Sequence, residues 1–350
     1  MQKKLLALAI ASLASTGAFA QSSVTIYGVL DLAVESGKYS DAAGNLTRLA
    51  PGGNTTNRMG FRGTEDLGNG MSANFTLEMQ PTPDNGTNSA TTQLWNRIST
   101  IGLSSKSWGA VNAGRFYTPW FLAHSAYDIF YTAGVGSNYS LQAGDTRMNN
   151  SIYYTSMPMN GFTIMAMWGL GQDADATGVE GTTATTKKLG REVGVKLSYN
   201  NGPISVNYGY DNQTTAVAAD VNTKRNQLNG SYNFGMIKLG LNWNTNKNDA
   251  STLDDRVWGF SATMPVMGQD LIKFGYTRLT DKTATAATGS KDARLIAFGY
   301  EHPMSKRTII YGTYAKMNND TGAARTLLGG VGVAAGFDPS ALQVGMRHTF

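Results

Sequence analysis

Cysteine is missing from the 350 residues, so disulfides, thiolate nucleophiles and cysteine-bound metal centres are excluded. Histidine is scarce: His124, His302 and His348 are the whole complement, and no Gly-x-Ser-x-Gly elbow accompanies them. A Ser-His-acid triad therefore lacks its parts. The acidic pair Asp254-Asp255 and the scattered Gly-x-Gly steps lack the spacing of calcium or phosphate loops. No catalytic residue, metal or cofactor is expected. Charge is thin, at 15% of residues with a formal net of +5. Lys3 and Lys4 supply two of the positive charges; without the first twenty residues, 27 basic against 24 acidic side chains leave +3. That is too little and too dispersed for a nucleic-acid footprint. Beyond residue 20 no stretch approaches the ~20 consecutive apolar side chains that a membrane helix needs.

What the chain has begins with an address. Lys3 and Lys4 precede the apolar run Leu5 to Leu13, and Ala18-Phe19-Ala20 fits the small-x-small rule for cleavage before Gln21. Residues 1–20 are expected to be an export signal. No Pro-rich linker or composition break divides residues 21–350, which are read as one domain. Glycine is abundant, at 41 residues, and mean hydropathy is slightly negative, at -0.25. A helical membrane protein would be far more apolar, whereas a barrel with a wet interior needs apolar side chains only at alternate positions.

Alternation of that kind recurs from Ser22 onward in segments of about ten residues, the length a tilted strand needs to cross the hydrocarbon. Met71, Ala73, Phe75, Leu77 and Met79 oppose Ser72, Asn74, Thr76, Glu78 and Gln80. Ile237, Leu239, Leu241 and Trp243 oppose Lys238, Gly240, Asn242 and Asn244. Val193 to Tyr199 and Ile204 to Tyr210 repeat the pattern around Asn201-Gly202-Pro203. Between such segments the connections alternate in length. Tight ones lie near residues 68–70, 105–107, 158–161, 201–203, 234–235, 267–270 and 305–307, many with the Gly and Asn that hairpins select. Long ones lie near 37–56, 81–94, 119–146, 172–190, 212–224, 248–255, 282–292 and 319–340. Seven short and eight long connections make fifteen, hence sixteen strands. The expected fold is all-β: a transmembrane, sixteen-stranded antiparallel barrel with short turns on one rim and long loops on the other. A soluble sandwich would explain the alternation but not this regular succession of loop lengths. Tyr199, Tyr208, Trp243, Trp258, Tyr276, Tyr300 and Tyr311 are expected on the outer face near strand ends, where aromatic rings suit the headgroup level.

One long connection stands apart. Residues 119–146 carry Trp120, Phe121, Tyr127, Phe130, Tyr131 and Tyr139, too apolar for free exposure. Folded inward, this third long loop would bury them and narrow the bore. Strand parity then places the arginines. Met59 and Phe61 facing lipid turn Arg58 and Arg62 to the lumen; Ile98 and Thr100 oppose Arg97; Ile152 and Tyr154 oppose the row that contains Arg147. A charge on the lipid face at mid-membrane costs about 2–4 kcal/mol, which favours the lumen for all four.

The segments Ser23-Val24-Thr25-Ile26-Tyr27-Gly28, Arg58-Met59-Gly60-Phe61-Arg62-Gly63-Thr64-Glu65-Asp66-Leu67-Gly68, Asn112-Ala113-Gly114-Arg115, Asn149-Asn150-Ser151-Ile152-Tyr153-Tyr154 and Gly345-Met346-Arg347-His348-Thr349-Phe350 resemble the general diffusion porins of Gram-negative bacteria, of the β-proteobacterial type. The resemblance spans residues 23–350. It implies a sixteen-stranded barrel in the outer membrane, a homotrimer, contact with lipid and lipopolysaccharide, and a C-terminal Phe350 read by the outer-membrane assembly machinery. It further implies a constriction at which a basic wall, here Arg58, Arg62, Arg97 and Arg147, faces acidic residues of the inward loop, here Asp128 and Asp145. The Pro-Glu-Phe-like motif that the family's loop often carries is not found. A transverse field from such walls would favour small anions among the hydrophilic solutes and ions that diffuse through. The alternative is a substrate-specific channel on the same barrel, with Trp120, Tyr127 and Tyr131 lining an aromatic path.

Overall fold

A computed structural model describes residues 23–40, 44–142, 144–171, 190–216, 221–285 and 289–350. The expected export signal and most of the 172–190 connection lie outside the described residues. Seventeen hydrogen-bonded segments form one antiparallel sheet. Two of them share a position, because Asn45–Pro51 pairs with the upper half of the first strand and Arg58–Gly68 with its lower half. Together they are β2, so the barrel has sixteen strands. The others are β1 (Ser23–Lys38), β3 (Met71–Met79), β4 (Ile98–Ser105), β5 (Gly109–Tyr117), β6 (Arg147–Thr155), β7 (Phe162–Leu170), β8 (Arg191–Asn201), β9 (Ile204–Ala216), β10 (Val221–Asn233), β11 (Lys238–Asn248), β12 (Asp254–Val266), β13 (Asp270–Asp281), β14 (Ala293–Pro303), β15 (Thr308–Asn319) and β16 (Ser340–Thr349). Pairing of β1 with β16, from Val29 opposite Thr349 to Lys38 opposite Ser340, closes the cylinder. Closure removes every edge, which is the condition for a sheet to survive in lipid.

The two faces separate as the period of two requires. Val24, Ile26, Ile101, Trp168, Leu241 and Val344 are more than half exposed on the outer wall, a density of bare apolar side chains that lipid tolerates and water does not. Inward positions of the same sheet carry Glu192, Asn207, Gln227, Asn244 and Gln343, all buried. Trp243 and Trp258 stand side by side across β11 and β12, and Tyr276 follows with its ring 5.2 Å from that of Trp258. Tyr311 differs from the expected outer set: it points inward, is 2% exposed, and donates its hydroxyl to Asp31 Oδ1 at 2.5 Å. Apolar side chains stand on both faces of the strand around it, so parity alone does not fix which way this ring points.

The turns behave as their residues demand. Asn69 and Gly70 adopt φ of 50° and 74°, the left-handed pair that a tight hairpin needs. Among the long connections, residues 249–253 prove short, closed by the Asn248 side chain accepting from the backbone of Thr252 at 2.9 Å and Leu253 at 3.1 Å. Much of the 37–56 connection is strand, since β1 runs on to Lys38 and pairs with Asn45–Pro51.

The interior is not uniformly polar. Val257, Leu279, Leu295 and Met317 point inward and form a buried cluster with Phe130, Val135 and Leu141 of the third long loop and Leu327 of the last one. An apolar loop folded inward needs an apolar wall to meet it.

Candidate functional site: the passage beside the third long loop

After β5 the chain turns into the lumen. Thr118 caps the short helix α1 (Pro119–Ser125) by accepting from Phe121 N at 3.2 Å, and Pro119 sits in the first turn, where its missing N–H costs nothing. Trp120, Ala123 and His124 are buried against the wall of β8–β10. Contact is close because that wall is glycine: a Cβ on Gly209 would lie 2.7 Å from the Cβ of Ala123, and one on Gly194 2.8 Å from Pro119. Two hydrogen bonds hold the helix there, from Trp120 N to Asp211 Oδ1 at 3.3 Å and from Asn229 Nδ2 to Ala123 O at 2.7 Å.

The loop then crosses to the opposite wall. Tyr131 and Thr132 turn it with φ of 56° and 55°, a conformation that side chains adopt only when their surroundings impose it. Val135 N donates to Gln343 Oε1 of β16 at 3.2 Å. Tyr131 lies with the Lys273 ammonium 4.0 Å and the Arg347 guanidinium 5.5 Å from its ring centre, and Lys273 is ion-paired with Glu301. Burial pushes the His124 imidazole down to about 3, so it is neutral across the physiological range.

What remains open is a passage of about 1020 Å³ between the loop and the wall of β1–β6. Arg58, Arg97 and Arg147 all line it, together with Arg48 and the rings of Tyr117 and Phe121. Arg97 is 2% exposed; its Nε donates to Glu78 Oε1 at 2.6 Å, Nη1 to Gln80 Oε1 at 3.2 Å, and Nη2 to the Tyr117 hydroxyl at 2.5 Å. Arg147 Nη2 donates to the same hydroxyl at 2.9 Å, with its guanidinium 4.4 Å from the Tyr117 ring. Arg58 Nη2 reaches Thr55 Oγ1 at 3.1 Å. The phenol thus gathers two like charges on one wall by accepting from both.

The route by which Arg97 reaches the lumen differs from the sequence expectation. Thr100 lies on the inner face and Ile101 and Leu103 on the outer one, the reverse of the expected parity. Arg97 precedes the first residue of β4, where irregular backbone frees it from the alternation, and Arg97 N–H still donates to Glu78 O at 3.1 Å. A bulge between β5 and β6 likewise shifts register below Arg147. Arg62 belongs to β2 but does not border the passage; it rests over the Tyr27 ring at 5.1 Å.

Neither acidic residue expected on the loop side borders the passage. The Asp128 carboxylate accepts from Phe130 N at 2.9 Å, Thr132 N at 3.2 Å and Ser137 Oγ at 2.6 Å, folding the loop tip upon itself. Burial raises its pKa, and these hydrogen bonds with the nearby Lys273 charge oppose the rise. Asp145 accepts from Gln213 Nε2 at 2.5 Å on the far wall. The carboxylates that line the passage with the arginines are Glu35 and Asp84; Glu35 stands opposite Arg48 in the β1–β2 ladder and accepts from its Nε at 3.1 Å. Four arginines and two carboxylates leave a net of +2 on the lining. Asp84 and Arg48 stand in connections of the sequence reading, where strand parity gives no direction. Trp120 and Tyr127 of the envisaged aromatic path are buried in the loop, while Tyr131 reaches the lining.

An edgeless sheet with an apolar skin, pierced by a polar passage that its own loop narrows, defines a membrane channel. The sequence profile of the Gram-negative porins matches residues 7–322, and the chain belongs to that family. Outer membrane porin protein 32 of Delftia acidovorans is 36% identical over 369 aligned positions, covering all of both chains. An outer membrane porin of Bordetella pertussis is 28% identical over 389, covering 95% of this chain and 99% of that one. The solved anion-selective porin from Comamonas acidovorans superimposes with a TM-score of 0.81 at 31% identity, covering 94% of this chain and all of that one. The protein is accordingly a multi-pass barrel of the outer membrane that forms a water-filled channel for passive movement of small hydrophilic solutes and ions.

Proposed function

We propose that this channel prefers anions weakly, and that Arg58, Arg97 and Arg147 set the preference. The observation that carries the reading is their convergence on one wall of the passage, two of them on a single phenol. Glu35 and Asp84 share the lining with the arginines and keep the net field modest. Arg62 contributes from outside the narrow part, and Asp128 and Asp145 act as braces of the loop. The selectivity named for the solved relative at 31% identity supports the same direction. The reading is tested by the reversal potential of the reconstituted channel in a potassium chloride gradient. Displacement toward the chloride equilibrium value is expected; displacement toward potassium would reject it.

Three barrels are proposed to associate. The outer faces of β1, β4 and β5 bear aliphatic side chains, Val24, Ile26, Ile101, Leu103 and Val111, whereas large exposed rings concentrate on β7–β15. Aliphatic surface suits contact between protomers, and rings suit the lipid interface. Residues 1–20 are proposed as a cleaved export signal, residues 21–350 as one domain, and Phe350 as the assembly signal. Its backbone exchanges both hydrogen bonds with Gly28 at 3.1 Å, so the last residue takes part in closing the barrel.

A substrate-specific channel is the second reading. Tyr117 and Phe121 stack at 5.4 Å beside the arginines and offer a flat surface to a passing solute. Liposome swelling with solutes of graded size separates the two: smooth decline with size marks general diffusion, saturation by one solute a specific channel.

A further inference from the structure

We propose that the rim of short turns binds a phospholipid phosphate at the β14–β16 corner, with the acyl chains lying on the strands above. Lys306 and Arg307 occupy the turn between β14 and β15, both are exposed, and no ion pair engages either among the described residues. The Ser305 hydroxyl accepts from the backbone N–H of Arg307 and of Thr308, each at 3.1 Å, which fixes the turn and leaves the two cationic side chains free to swing together. His348 lies beside them on β16, opposite Thr308 in register. One ring nitrogen, Nδ1, meets Thr308 Oγ1 at 3.0 Å, so Nε2 is left to face outward. On the other side His302 of β14 is exposed and shares the outer face. Two of the three histidines of the chain and two adjacent cations thus meet at one edge of the barrel.

The opposing charges are few. Asp270 is engaged by the Tyr300 hydroxyl and by His302 Nδ1 at 2.8 Å. The C-terminal carboxylate of Phe350 is the other anion at this corner: it follows Thr349, whose N–H donates to Arg307 O at 2.9 Å, and the Phe350 carbonyl oxygen accepts from Gly28 N–H at 3.1 Å. Directly above the basic patch the lipid face continues as Ile310 opposite Met346, then Val344 and then Tyr314 opposite Leu342, exposed and apolar. A cationic lip over an apolar runway is the complement of an anionic amphiphile, phosphate down and chains along the wall. Short turns mark the periplasmic rim, so the amphiphile is a phospholipid of the inner leaflet.

The experiment uses the detergent-purified protein and follows its thermal melting with added short-chain phosphatidylglycerol, short-chain phosphatidylcholine or inorganic phosphate. Phosphatidylglycerol is expected to raise the melting temperature saturably, and the others not. At roughly fivefold per surface cation, Lys306→Gln with Arg307→Gln should raise the half-saturating concentration about twenty-five-fold while single-channel conductance stays unchanged. The two lipids share the phosphate and differ in net charge, so an equal response to both would overturn recognition of an anionic lipid by the basic patch, and an equal response to inorganic phosphate would replace the lipid by a free anion. Because conductance is read separately, failure here does not touch the anion preference of the passage.

Discussion

Arg97 and Glu78 form a buried ion pair at 2.6 Å, with side chains only 3% and 4% exposed, and it stands in the wall of the passage rather than across it. The Glu78 carboxylate offsets part of the Arg97 charge that the passage sees. Glu78→Gln should therefore increase anion preference, because the guanidinium then faces the passage uncompensated. Breaking one side of a buried pair costs about 3–5 kcal/mol. Reversal potential and thermal melting read the two effects, and a variant that melts normally with unaltered selectivity would contradict the pairing.

Removing the arginine charge has the opposite sign. Arg147 holds only the Tyr117 hydroxyl and the Thr146 side chain among the described residues, so Arg147→Gln leaves no carboxylate stranded. At ~4 Å in a water-filled bore a unit charge contributes about 1 kcal/mol, which corresponds to a roughly fivefold fall in the chloride-to-potassium permeability ratio. Arg62→Gln, outside the narrow part, should change the ratio much less. Equal effects from the two variants would place the constriction elsewhere.

Acid should act on the loop through His124. Its imidazole, pushed down to about 3 by burial, lies between Trp120 at 6.0 Å and Tyr139 at 5.5 Å. Asp128 Oδ2 is 3.9 Å away but already accepts from Ser137 and Thr132. A folded value below the ordinary 6.5 means that the unfolded loop binds the proton first. Stability from this residue is complete above about pH 6.5 and is lost as pH falls from there toward 3. Current noise in single-channel records should rise over that window, and His124→Phe should remove the rise. Noise with the same acid dependence in the variant would assign it to another group.

The barrel is legible in the sequence because its signal is repeated. Sixteen alternations and the rhythm of loop lengths reinforce each other, so an error in one, such as the reversed faces of Ile98 and Thr100, does not change the count. The inward loop is legible from Trp120, Phe121 and Phe130, whose exposure in water would be unfavourable. The site is less so. Arg58 follows parity, but Arg97 and Arg147 sit at an irregular strand entry and above a bulge, where parity loses its meaning. Asp128 stands out by its place in the loop, yet a short carboxylate two residues before free N–H groups closes a local turn more readily than it spans a bore. Glu35 is hidden as one inward residue among many, and Arg48 and Asp84 as loop residues. Pairs such as Val257-Trp258 and Leu295-Ile296, apolar on both faces, hold the clue that part of the lumen is dry.

Helix α1 sits where it does because β8 and β9 present glycine beneath it, at Gly194 and Gly209. Gly209→Val places three carbon atoms into a gap that already leaves only 2.7 Å between a Cβ at this position and that of Ala123. Overpacking of this sort costs about 1–3 kcal/mol, and the β-barrel wall, tied by continuous ladders on both sides, is stiffer than a seven-residue helix. The helix should yield, moving toward β1–β6 and into the passage. Single-channel conductance is then expected to fall while the barrel stays heat-resistant, and Gly230→Ala on neighbouring β10, where a Cβ meets nothing closer than 3.8 Å, should leave conductance unaltered. If Gly209→Val conducts as the parent does, the loop does not rest on that wall.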